Sequence, residues 1–188
     1  MIQGLAAGTA VIVSVASLYI AWRQSAVMER QLAASVWPSL QYTTSNLDAA
    51  HQPVIALAFH NGGIGPARIR AFELAYHGAP LADADALIAA VAPGATASTL
   101  GIVTNNEVTS GIVPAGQTVS FFSVARDDSN AAPWHALDQA RHELAGHICY
   151  CDALDDCWTI EFPGTAKARP QPVTVSSCDA AAARPQYQ

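Results

Sequence analysis

Met1 to Trp22 pass without a single charged side chain, and Arg23 ends the run. Its centre, Leu5 to Ile20, is mostly Ala, Val, Ile and Leu. A helix of about twenty such residues, rising about 1.5 Å each, crosses a hydrocarbon core of about 30 Å. Lipid imposes that helix, because it offers no partner to an open backbone amide. The run predicts a transmembrane anchor over residues 1–22. A cleaved signal peptide competes with this reading, with small residues at Ala33 to Ser35 as its cleavage site. Such a leader opens on Lys or Arg, whereas this chain opens Met1-Ile2-Gln3. A buried core helix is the other competitor.

The flanks predict an orientation. No Lys or Arg precedes the helix, while Arg23 and Arg30 follow it, so the positive-inside rule leans the C-terminal part toward the cytoplasm. The four cysteines pull the other way, since disulfides belong to oxidising compartments, and they keep a periplasmic domain open. Within the span, Gly4 and Gly8 form a GxxxG, the small-residue spacing that lets helix backbones approach. They are the candidates for helix packing, in a homo-oligomer or against another subunit.

Trp22 to Val36 holds no Gly or Pro and is rich in helix formers, which predicts a helical stalk over residues 23–37. Trp37-Pro38 stops it, because a residue before proline avoids the helical region. The remainder reads as one domain over 38–178 followed by a disordered tail over 179–188. All of the formal charge of −6 lies beyond the anchor, and nine scattered basic residues do not make a nucleic-acid surface.

The domain reads as mainly β. Ser39 to Ser45, Pro53 to His60 and Ala67 to Tyr76 are strand-type runs separated by turn residues. In the third, the apolar phase flips between Ala71 and Phe72, which predicts a β-bulge there. Ala82 to Val91 is helical, with Asp83 and Asp85 as a negative first turn. Leu100 to Val103 suggests a further strand. Pro114-Ala115-Gly116 predicts a turn ahead of a strand through Val119, Phe121 and Val124. Pro133 to Leu144 reads as a helix, and His147 to Phe162 as a hairpin around the acidic segment from Asp152 to Asp156. Val173 to Ser176 is a weak final strand.

The segments SVWPSLQ, IALAFHNGGIGPARI and IVPAGQTVSFF resemble a loose set of uncharacterised bacterial single-pass membrane proteins. Those carry a stalk and an immunoglobulin-like β-sandwich. The resemblance runs from about Leu18 to Phe162, and its most specific piece is the Asn61 to Ala67 turn. It implies a sandwich with one or two short inserted helices behind an inner-membrane anchor, and it implies no activity.

Four residues attract chemical interest. His147, Cys149 and Cys151 alternate along one strand and so share a face, with Cys157 on the return strand. They are the metal-site candidates, although the spacing is no standard zinc pattern. Reduced structural cysteines and a disulfide, Cys151 with Cys157 or either with Cys178, are the competing readings. His142-Glu143 with His147 is HExxxH rather than HExxH, which turns the second histidine about 140° away on a helix. Asn61, Gly62, Gly63, Gly65 and Pro66 form one candidate binding loop, and Asp152, Asp155 and Asp156 another, because loops on a rigid scaffold carry contacts. No nucleophile elbow and no phosphate-cradling glycine loop is present, so neither enzymatic activity nor a cofactor is expected. The expectation is a membrane-tethered binding or assembly module with an unknown protein partner. A metal- or redox-responsive sensor and an accessory subunit of a membrane complex are the alternatives.

Overall fold

The computed structural model describes residues 2–101, 111–162 and 171–179, with residues 2–10 described by backbone alone. The chain divides into two compact units, Met1–Val36 and Trp37–Gln188.

The first unit is a single helix, α1 (Ile2–Ser35), about 50 Å long at the usual rise. It runs unbroken across the residues expected as anchor and stalk and stops ahead of Trp37-Pro38, as the proline requires. Val11 to Ser35 is long and apolar enough to cross a membrane. From Val11 to Trp22 its large apolar side chains are exposed on all sides of the unit, so no packed protein face hides them. Tyr19 sits one turn before Arg23 and accepts a hydrogen bond from its Nε at 3.0 Å, and the guanidinium lies over the tyrosine ring. Trp22 is beside them. An aromatic–arginine group closing an apolar run is the composition of a membrane–water interface.

The second unit is mostly β, in two antiparallel sheets. One has the order β1 (Leu40–Leu47), β2 (Pro53–Asn61), β6 (Thr118–Ala125). The other runs β4 (Ala79–Leu81), β3 (Ala67–Tyr76), β7 (Leu144–Cys151), β8 (Cys157–Phe162), β9 (Val173–Val175), with β5 (Ile112–Val113) paired to the start of β3.

Strand alternation builds the core. Leu40 and Phe59 from the first sheet meet Ala67, Ile69, Ile148, Tyr150, Ile160 and Phe162 from the second. Aromatic rings tie the layers. Tyr42 stacks on Phe162 with centroids 4.2 Å apart, and Phe72 meets both Phe59 and Phe121 edge-on. Gly146 is bare because the Phe162 ring lies on it; a Cβ there would stand 2.7 Å from the Glu73 carbonyl.

At the other end of the first sheet, Ile55, Leu57, Phe122 and Val124 are covered by helices instead. These are α2 (Ala84–Val91), α3 (Ala97–Leu100) and α4 (Ala131–Ala140), which bring Leu87, Ile88, Leu100, Trp134 and Leu137 to them. Trp134 also donates from Nε1 to the Val124 carbonyl at 3.1 Å, which satisfies its only polar group. Asp83 caps α2, accepting from the Ala86 amide, and Gly116 takes φ +69° in the turn before β6.

Three expectations need correction. The register shift in β3 falls between Ile69 and Ala71, so Ala71 already faces outward opposite Cys149. An alanine reads as apolar on either face, which hid the true position. α4 ends at Ala140, and Leu144 already belongs to β7, paired with Tyr76. Leu100 closes the short helix α3, whose Thr96 and Thr99 form a reciprocal capping box, instead of opening a strand. Residues 102 and 103 of that expected strand lie outside the described residues, as do 180–188 of the expected tail.

Candidate functional site

The outer face of the second sheet is built in rows. Along β7, Ile148 and Tyr150 enter the core while His147, Cys149 and Cys151 point the other way, as the alternation predicts. Register then aligns neighbours on that face. Arg68, Cys151, Cys157 and Val175 form one row; Ala71, Cys149, Thr159 and Val173 the next; Glu73, His147 and Glu161 a third.

All four cysteines are paired and buried. Cys151 and Cys157 are directly opposite across the hairpin and form one disulfide. Cys149 and Cys178 form the other. β9 lies on the far side of β8 from β7, so residues 176–178 must pass over the outer face of β8 to reach Cys149. Val175 and Ala71 pack against the resulting sulfur group. The two disulfides touch: the Sγ atoms of Cys151 and Cys178 are 3.6 Å apart. Pairing within the hairpin is as one reading of the sequence has it, but the partner of Cys178 is Cys149 rather than Cys151 or Cys157. Strand alternation alone cannot foresee this, because it depends on where the chain returns after β9.

The proposed metal set changes with it. Among the described residues, the metal-ligand group that closes to within 4.8 Å is Cys151, Cys157 and Cys178. His147 shares the face but stands buried in its own row, in register with Glu73 and Glu161, outside that group.

The acidic hairpin tip is loop architecture. Asp152 is buried, and its Oδ1 accepts from the amides of Leu154 (2.8 Å) and Asp156 (3.0 Å), while its own amide donates to the Asp156 carbonyl. Asp155 takes φ +66°. The β1–β2 loop repeats the arrangement with other residues. Asp48 Oδ1 accepts from Ala50 and Gln52, its amide donates to the Gln52 carbonyl, and His51 takes φ +60°. An aspartate opening a five-residue turn is therefore a device this domain uses twice. Arg68 fastens the second copy, donating to the Asp152 carbonyl and pairing with the Asp155 carboxylate, where Arg70 also approaches. Asp156 closes the turn through its main chain, and its side chain is exposed.

Asn61 is likewise turned inward. It is 0 % exposed and all of its groups are paired. Oδ1 accepts from the amides of Ser39 and Gly63, and Nδ2 donates to the carbonyls of Gly65 and Val113. Its main chain pairs with Gly116 and Gln117. Three segments distant in sequence are thus joined by one side chain. Gly63 lies directly on the chain at Trp37 and Ser39, where a Cβ would come within 2.5 Å of backbone. The Asn61-to-Pro66 turn is positioned by this staple, and what it offers to solvent is Ile64.

Ile64 belongs to a group of exposed apolar side chains at this one end of the two sheets. The others are Trp37, whose carbonyl accepts from the Ile64 amide, Ile112 beside Arg68, and Leu154 in the hairpin loop. They are between 45 % and 66 % exposed. His142 and Glu143 lie between α4 and β7, with Glu143 paired to His77, whereas His147 lies within β7.

Comparison with protein-family models, with curated proteins and with solved structures finds no match.

Proposed function

We propose that this chain is a membrane-tethered, immunoglobulin-like β-sandwich acting as a binding or assembly module, with the loop end of the domain as its contact surface. The strand order supports the fold. Orders 1-2-6 and 4-3-7-8-9 correspond to the A-B-E and C′-C-F-G arrangement of that architecture, with β9 added beyond G. The resemblance of the Asn61-to-Ala67 turn to bacterial single-pass proteins of this kind points the same way.

The observation that carries the function is the group Trp37, Ile64, Ile112 and Leu154. Four large apolar side chains stand in water on loops and on the short strand β5, tied down by Asn61, Arg68 and the Cys151–Cys157 disulfide. Ordering costs are already met in such loops, so a partner gains from contact without paying to fix them. The partner is a protein presenting an apolar patch, and the anchor raises its effective concentration at the membrane.

Two paired disulfides support placing the domain on the oxidising side of the membrane. This runs against the vote of Arg23 and Arg30, and two flanking arginines weigh less than four paired cysteines. Labelling intact cells with a membrane-impermeant maleimide, with and without prior reduction, decides it. Labelling unmasked by reduction supports the outer placement, and labelling that needs lysis but no reductant refutes it.

For the contact surface, photo-crosslinking residues are placed at Ile64 and Leu154 in intact membranes, with Thr43 on the outer face of the first sheet as control. The proposal expects protein adducts at the first two and none at Thr43. No adduct at either loop position, or equal adducts at all three, would sink it.

A further inference from the structure

We propose that, once both disulfides are reduced, Cys149, Cys151, Cys157 and Cys178 form a tetrathiolate site for one zinc ion. The inference is independent of the binding surface, and it replaces the histidine-containing set that the sequence suggests.

Four sulfurs converge in one buried group on the outer face of the second sheet. The contact between the two disulfides, Cys151 Sγ to Cys178 Sγ at 3.6 Å, already has the length of a tetrahedral edge. With zinc–sulfur bonds of about 2.3 Å, that edge is about 3.75 Å. Three of the sulfurs, those of Cys151, Cys157 and Cys178, lie within 4.8 Å of one another, and Cys149 adjoins through its bond to Cys178. Three ligands come from the β7–β8 hairpin, whose register holds them in place. The fourth arrives on a strap from β9, a three-residue edge strand with Val173 and Thr174 exposed. The strap is tied to the sheet by three β8–β9 pairs, against six between β7 and β8.

The chemistry balances with a dithiol as reductant. Each protein disulfide takes two electrons and two protons from one dithiol, which leaves as its own disulfide. Zinc then binds four thiols as thiolates and releases four protons. Two equivalents of a disulfide oxidant reverse the sequence. They take four electrons from the four thiolates and, with four protons, leave as dithiols. The zinc ion is released, so the cluster exchanges a metal cross-link for two covalent ones.

The test uses the full chain in detergent, reduced with excess dithiol under argon and desalted, then titrated with Co²⁺ as a spectroscopic probe and with Zn²⁺. The expected result is one Co²⁺ per chain with the visible bands of tetrahedral thiolate ligation, lost on adding one Zn²⁺ and absent from the unreduced protein. Cys178→Ser should weaken Co²⁺ binding at least about tenfold, on the scale of losing a ligand or its support. Cys178→His should restore a tetrahedral spectrum with shifted bands, which separates loss of a ligand from loss of the fold. His147→Asn should leave the spectrum unchanged. Absence of thiolate bands in the reduced chain, whether folded or unfolded by circular dichroism, overturns the proposal. So does a band that survives Cys178→Ser and disappears with His147→Asn.

Discussion

Asn61 donates from Nδ2 to the main-chain carbonyl of Val113 at 2.9 Å, across 52 residues of sequence. With its bonds to Ser39, Gly63 and Gly65, this makes one buried amide the meeting point of the start of β1, the β2–β3 turn and the β5–β6 turn. An amide suits this place because it offers two donors and an acceptor in one plane.

Asn61→Ala leaves buried carbonyls and amides without partners, each worth about 1–3 kcal/mol. The expected loss is about 3 kcal/mol or more by urea denaturation. Asn61→Asp should be at least as damaging at neutral pH, because it sets carboxylate oxygen against the carbonyls of Gly65 and Val113. Wild-type stability in either variant would refute the staple.

Gly63 and Gly78 provide a matched pair. A Cβ on Gly63 meets backbone at 2.5 Å, whereas one on Gly78 meets nothing within 4 Å and is opposed only by φ +80°. Gly78→Ala should cost about 1 kcal/mol, the price of a left-handed backbone. Gly63→Ala should cost clearly more, since main chain must move. Equal midpoints in denaturant would contradict the close approach.

Asp48 and Asp152 hold identical turns, so Asp48→Ala and Asp152→Ala should each cost about 1–2 kcal/mol, as losses of capping aspartates do. The Asp152 variant is expected to sit at the upper end, because its residue is buried and Arg68 is bound to the same loop. Thermal melts of both variants, measured side by side, check the ranking. A calcium role for the tip instead predicts stability that rises with added Ca²⁺ in the parent and not in the Asp152 variant.

The two disulfides close chain segments of very different size, with sequence separations of 29 and 6. On the chain-entropy account, the longer bridge contributes about 3.6 kcal/mol and the shorter about 2.2. The Cys149→Ser/Cys178→Ser double variant should therefore be less stable than Cys151→Ser/Cys157→Ser under non-reducing conditions. The reverse order would mean that packing of the sulfurs, and not closure of the chain, dominates.

Burial pushes the Tyr150 hydroxyl up to about 12, against a partial offset from the Leu40 backbone, and burial raises Tyr42 as well. In the unfolded chain both ionise near 10, so above that pH the unfolded state has lost protons that the folded state keeps. Stability from these groups is complete below pH 10 and falls as pH rises from about 10 to 12. Tyr150→Phe should flatten the alkaline limb of a stability–pH curve. An unchanged limb in both Tyr150→Phe and Tyr42→Phe would place the alkaline sensitivity elsewhere.

Much of this was legible locally. The uncharged run to Trp22 reads as a helix, the short apolar run Pro53 to His60 reads as a strand, and Asp83 reads as the start of α2. Each depends on residues within a turn or two of one another. The β7–β8 hairpin and the shared face of His147, Cys149 and Cys151 follow from period-two geometry alone. Where local signals were ambiguous they misled by one or a few residues: Ala71 fits either face of a strand, and helical propensity continues past Ala140 until pairing with β3 claims Leu144.

What the sequence determined by itself was the set of elements, because backbone dihedrals respond to neighbouring side chains. The tertiary structure decided which distant groups meet. Asn61 has the composition of a turn residue and becomes a buried staple only when Val113 returns beside it. Asp152 and Asp155 read as free acids of a binding loop until Arg68 and the loop amides take them up. Cys178 carries no sign of its partner, since the pairing with Cys149 depends on a strap crossing β8. Contacts of this kind are set by sheet order and by where the chain re-enters it, and no local pattern encodes that return.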